Sequence, residues 1–80
     1  MTNEELLDRF TRILRDLLGN DSILLRSETT RGEVPGWDSF SYVNFIVAVE
    51  VDLGVKFRIA DVESFETVGD IVANAQSLLR

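Results

Sequence analysis

Leu6, Phe10, Ile13, Leu14 and Leu17 recur at the spacing of one helix face, and the run is closed at both ends. Thr2 and Glu5 have the form of a capping box, each side chain accepting the other residue's free amide. Gly19 is a natural stop, because glycine takes the left-handed conformation that ends helices. Similar signals recur down the chain. A second helix runs from residue 39 to about residue 53 and is followed by Gly54. A connector, "GVKFRIADVESFE", holds a short third helix at Ala60 to Ser64, with Asp61 and Glu63 suiting its first turn. Thr67 caps a last helix with Val68, Ile71, Val72, Ala75, Leu78 and Leu79 on one face. No segment reads as a strand. The pattern predicts an all-α fold: a small four-helix bundle of three long helices and one short one.

Between the first and second helices, residues 20 to 37 hold the only proline, two glycines and several Ser and Thr. This is a long loop for so small a domain, so something must hold it. Ile23, Leu24, Leu25, Val34 and Trp37 are the candidates to pin it to the core, with a short helical turn around Asp21 to Leu25.

Composition narrows the function. The chain has 80 residues and reads as a single domain, 1–80, with too small a core for an enclosed active site. A hydrophobic fraction of 45% argues against disorder. The net charge of -6 argues against nucleic acid and fits basic surfaces on protein partners. There is no cysteine and no histidine, which removes the thiolate nucleophile, the commonest general base and the commonest metal ligand. An enzyme is not expected, nor a metal site. The N-terminus lacks the regions of a signal peptide, and no apolar run reaches the length of a membrane span. The expectation is a freestanding, monomeric, cytoplasmic protein that does not insert into membranes.

The second helix has two apolar sides. On a wheel of about 100° per residue, Tyr42, Phe45, Ile46, Val49 and Leu53 gather on one side. Phe40, Val47 and Val51 gather on the other, with Asn44 among them and Glu50 at the border. No charged residue occurs from Ser39 through Val49. One side is core. The other is either packed under the loop or exposed as a stripe for partners, and the wheel does not choose.

The mouth of that helix is Asp38-Ser39. Both residues are preferred helix caps, and on the dipeptide alone capping is the simpler reading. A serine at a helix start is also exposed, next to free amides that favour an anion. With no histidine to activate it, Ser39 reads as an acceptor modified by another enzyme rather than as a nucleophile of its own. Phosphorylation shares these features, so the local signal does not identify the attached group.

The longer pattern does. "PGWDSFSYVNFIVAVEVDLGVKF" followed by "IADVESFETVGDIV" resembles the carrier-protein family, the acyl carrier proteins and peptidyl carrier domains. The Asp-Ser-Leu motif of that family corresponds to Asp38-Ser39-Phe40, and the likeness spans essentially the whole chain. It implies that Ser39 carries 4'-phosphopantetheine, transferred from coenzyme A by a Mg2+-dependent phosphopantetheinyl transferase. Asp38 is the motif acid, used in transferase recognition. The arm holds an acyl group as a thioester and delivers it to acyltransferases, ketosynthases or acyl- or aminoacyl-activating ligases. An aminoacyl or peptidyl cargo uses the same arm. The resemblance also makes Phe45, Ile46, Val49, Phe57, Val62, Phe65 and Ile71 candidate linings of a cargo cavity, although their first role is core.

Two departures stand out. Phe40 replaces the usual leucine. The second helix is also neutral where carriers of bacterial fatty acid synthesis are generally acidic: Ser41, Asn44 and Val51 occupy places where an acid is often found. Phe40, Asn44, Val47, Glu50 and Val51 are therefore the candidate partner-binding residues. The expectation is a carrier for a dedicated polyketide, lipid or other secondary-metabolite pathway. The rival readings are an unmodified helical interaction module and a chain regulated by phosphorylation at Ser39.

Overall fold

The computed structural model describes residues 1–80. Four α-helices follow one another: α1 (Asn3–Leu18), α2 (Ser39–Leu53), α3 (Ile59–Ser64) and α4 (Val68–Leu79). A single 3₁₀ turn, Arg31–Glu33, interrupts the long α1–α2 loop.

The helix ends follow local chemistry. Thr2 accepts the Glu5 amide at 3.1 Å while Glu5 accepts the Thr2 amide at 2.9 Å. Thr67 and Asp70 form the same reciprocal box at α4. Gly19 and Gly54 end α1 and α2 in the left-handed region, at φ 64 and φ 68, and their amides return to Arg15 and Glu50. Such a conformation costs any other L-residue roughly 1–2 kcal/mol.

The core is where the long helices meet. Leu6, Phe10 and Leu14 of α1 face Phe45, Ile46 and Val49 of α2, and Val68, Ile71, Val72 and Ala75 of α4 complete it. Phe10 and Phe45 meet edge to face at 5.7 Å, the arrangement that ring quadrupoles prefer. Both rings are fully buried, so truncating either to alanine is worth about 3–5 kcal/mol.

The loop is fastened by side chains and hydrogen bonds. Ile23, Leu25 and Trp37 are buried, and Val34 packs half-buried against them. The Leu25 amide donates to Thr11 Oγ1 at 3.1 Å, and Arg15 Nε donates to the Ile23 carbonyl at 2.6 Å. Across the molecule, the Val68 and Gly69 amides donate to the carbonyls of Thr29 and Ser27, at 2.9 and 2.8 Å.

Several local expectations need correction. Residues 23 to 26 are irregular, and no helical turn forms around Asp21 to Leu25; the helical turn lies later, at Arg31–Glu33. Leu24 does not pin the loop. It is 59% exposed, because burying both of its neighbours turns the residue between them outward. Leu17, Leu78 and Leu79 share their helices' apolar spacing but lie toward the ends, where the core no longer covers them. α3 starts one residue early, at Ile59, and of its two acids only Asp61 stands in the first turn.

Candidate functional site

At the mouth of α2, capping and exposure fall to different residues. Asp38 is the cap: its Oδ1 accepts the Ser41 amide at 2.9 Å. The Ser41 hydroxyl answers by accepting the Asp38 amide at 2.9 Å. Its own proton can go to the Gly36 carbonyl at 2.8 Å or to the Asp38 carboxylate at 3.1 Å. The bond from the Ser41 amide, and after it the Ser41 hydroxyl, holds the Asp38 carboxyl below its usual range. It is therefore ionised at neutral pH.

Ser39 takes part in none of these bonds. It is the first helical residue and is exposed, and its amide has no backbone acceptor. The sequence reading left open which residue closes the helix. The Asp38–Ser41 pair does so, and the Ser39 hydroxyl faces solvent beside an orphan helix amide. Ser41, which the helix wheel leaves between the two apolar sides, carries a sequence signal for this role: it stands at the third helical position after an Asp, where a capping box needs a side-chain acceptor.

The second apolar side of α2 is open. Phe40 is 77% exposed and Val51 79%, with Val47 at half exposure. Asn44 is exposed among them. Val43, also exposed, joins the row at helical spacing between Phe40 and Val47. The wheel reading passed over it although the spacing would have found it.

Glu50 does not belong with these residues. Its side chain is only 13% exposed and turns back toward the α2–α3 connector. One carboxylate oxygen accepts the Phe57 amide at 2.8 Å, and the other lies 4.0 Å from Lys56 Nζ. Asp52, the other acid near the end of α2, pairs with Arg9 of α1 at 3.0 Å. Neither acid stands free on the apolar row, so that row is more neutral than the residue list implies.

On its other side α2 meets α3 through Tyr42. The Tyr42 hydroxyl donates to the Val62 carbonyl at 2.6 Å. Trp37 packs on this ring at 6.2 Å between centroids, and the Arg31 guanidinium lies 4.4 Å from its centre. Burial raises the Tyr42 phenol above its ordinary range. Beside it is a hollow of about 20 Å³, walled by Thr29, Arg31 and Trp37 of the loop and by Phe65, Glu66, Thr67, Val68 and Ile71 at and before α4. Phe45, Ile46, Val49, Phe57 and Ile71, the candidate cavity lining, are packed core, with Val62 and Phe65 half-buried against them. A much larger surface groove, about 450 Å³, runs past Glu5, Asp8, Arg9, Arg12, Ile13 and Asp52, a set that excludes the mouth of α2. No group of three or more His, Cys, Asp or Glu residues could hold a metal ion, and no helix is long and apolar enough to cross a membrane.

No family model matches the chain. Individual proteins do. An acyl carrier protein of Thermotoga maritima is 32% identical over 78 residues, covering 98% of this chain and 96% of its own. One from Clostridium perfringens is 33% identical over 67 residues, covering 84% of this chain and 88% of its own. The solution NMR structure of a holo acyl carrier protein from Geobacter metallireducens superposes with a TM-score of 0.84 at 36% identity, covering 91% of this chain and 84% of that one.

Proposed function

The chain belongs to the acyl carrier protein family, and from that premise we propose that Ser39 is its attachment point for a 4'-phosphopantetheine arm. The observation that carries this is the division of labour at the helix mouth. Asp38 and Ser41 satisfy each other, leaving the Ser39 hydroxyl exposed and free of their bonds. The residues present fit a phosphodiester: the hydroxyl is accessible, and the start of a helix favours the negative charge it would acquire. In the attachment step Ser39 Oγ forms a bond to phosphorus and the adenosine bisphosphate portion of coenzyme A leaves. The serine proton passes to a base on the transferase, since this chain has neither His nor Cys. Asp38, held ionised by its cap bonds, presents a fixed carboxylate beside the serine for the transferase and its Mg2+. Once attached, the arm supplies a terminal thiol for thioester chemistry. This chain contributes presentation rather than catalysis.

The exposed row Phe40, Val43, Val47 and Val51, with Asn44, is proposed as the surface that meets the transferase and the acyl-handling enzymes. Its apolar character supports docking by shape and burial instead of acidic steering. That supports a dedicated biosynthetic pathway over primary fatty acid synthesis. Loading rates should then change little with ionic strength, whereas an acid-steered carrier would slow sharply as salt rises.

The direct test incubates the protein with coenzyme A, Mg2+ and a broad-specificity phosphopantetheinyl transferase, followed by mass spectrometry. Gain of one phosphopantetheine by the native chain and none by Ser39→Ala is expected. Absence of any gain across several transferases would refute the assignment.

A further inference from the structure

Ser39 and Tyr42 are one helical turn apart on α2, so anything tethered at Ser39 meets Tyr42 before it meets the interior. Tyr42 closes that approach. Its hydroxyl spans from α2 to the Val62 carbonyl in α3 at 2.6 Å. One neighbour of its ring is the buried Trp37, and another is the Arg31 guanidinium. Beyond it the interior is filled with aromatic pairs, Trp37 with Phe45 and Phe57 with Phe65. The hollow that Tyr42 lines, about 20 Å³, lies toward the α1–α2 loop and the start of α4 rather than in the seam, and suits roughly one water-sized group. The hollow is not simply apolar either, for Thr29, Arg31, Glu66 and Thr67 help line it.

The helix on the far side of the seam is lightly held. α3 has six residues, none of them buried, and no side-chain cap. Its Arg58–Asp61 ion pair is local and largely exposed, so it does not fasten α3 to α2. The Tyr42 hydroxyl is the side-chain hydrogen bond that joins the two helices.

We infer that Tyr42 is a specificity-determining strap: it keeps the α2–α3 seam shut, so an acyl chain tethered at Ser39 stays outside the bundle and is read by partner enzymes in the open. The inference rests on Ser39 as the tether point, and it deepens that reading by stating where the cargo lies. Such a carrier suits short or polar acyl groups, which gain little from an apolar interior, over long alkyl chains.

The test separates this from the question of enzymatic loading. The native chain has no cysteine, so Ser39→Cys supplies a single thiol. A maleimide linker of pantetheine length, ending in acetyl, octanoyl or dodecanoyl, is coupled to it without any transferase. Melting temperature and the emission of Trp37, the only tryptophan, report entry of the chain. With Tyr42 present, both should be independent of chain length. With Tyr42→Val added, octanoyl should raise the melting temperature above the acetyl form by about 5 °C or more and shift the Trp37 emission. Chain-length dependence with Tyr42 present would overturn the inference, as would its absence in a folded Tyr42→Val protein. Should Tyr42→Val fail to fold, Tyr42→Phe decides. Amide exchange in α3 should quicken about three- to tenfold on loss of the hydroxyl, and unchanged exchange would remove the strap.

Discussion

The Asp38 carboxylate and the Ser41 hydroxyl each accept the other residue's amide at 2.9 Å, and the serine between them is left out of the exchange. The cap of α2 therefore does not depend on the Ser39 hydroxyl. The two serines, two positions apart, should respond oppositely to mutation.

Ser39→Ala should leave the melting temperature within experimental error while abolishing phosphopantetheine transfer. Ser41→Ala removes the acceptor for the Asp38 amide and should cost about 1 kcal/mol. In a chain of this size that lowers the melting temperature by about 4–8 °C. Thermal denaturation of the two variants, alongside mass analysis after transferase treatment, checks both halves.

Acid should weaken the fold through its caps. Glu5, Asp38 and Asp70 each have a lowered pKa, caused first by a backbone amide donating to the carboxylate: Thr2, Ser41 and Glu66 respectively. A folded pKa below the unfolded one gives stability that is present above the unfolded value. That stability drains away as pH falls through the folded value. The window thus opens near the ordinary carboxylate pKa of about 4 and extends below it. Asp38→Asn and Asp70→Asn keep a capping oxygen but do not titrate. Urea denaturation from neutral pH downward should show a flatter acid limb in the double variant than in the native protein.

Glu50 and Val47 separate structure from docking. Glu50→Ala leaves the Phe57 amide without its acceptor and should cost about 1–3 kcal/mol, whatever partner is present. Charge reversal at Glu50 is consequently a poor probe of partner recognition. Val47→Glu changes an exposed side chain and should move stability by no more than about 0.5 kcal/mol. If the apolar row docks, that same substitution should lower turnover by partner enzymes about tenfold or more, read as kcat/KM for the carrier.

Gly69→Ala should be disruptive in a position that looks permissive. A Cβ there would stand 2.8 Å from the Ser27 carbonyl oxygen, which also accepts the Gly69 amide. Backbone would have to move on both sides, loosening the loop from α4, at a cost of about 1–3 kcal/mol. Chemical denaturation checks the size. Faster amide exchange at Val68, which donates to Thr29 of the same loop, would locate the damage.

The long helices and the caps of the first and last were legible because each depends on residues a few positions apart. Thr2 finds Glu5, Thr67 finds Asp70 and Gly19 ends its own helix whatever the rest of the chain does. Ser39 was legible in the same way, as part of a linear motif at a helix start. Its freedom was not, because that depended on Ser41 taking the cap.

Everything decided across the bundle needed the tertiary structure. α2 is apolar on both sides, so its own sequence states no preference; packing of α1 and α4 against Phe45, Ile46 and Val49 left Phe40, Val47 and Val51 outside. Glu50 lies beside that open row in sequence, yet it turns inward to accept the Phe57 amide. Leu24, as apolar as its neighbours, was turned out when both of them were buried. Tyr42 read only as core until Val62, 20 positions away, proved to be its hydrogen-bond partner. Local propensity and capping act within one helical turn and can be read along the chain. Burial and long-range hydrogen bonds depend on which surfaces meet, and only the assembled bundle determines that.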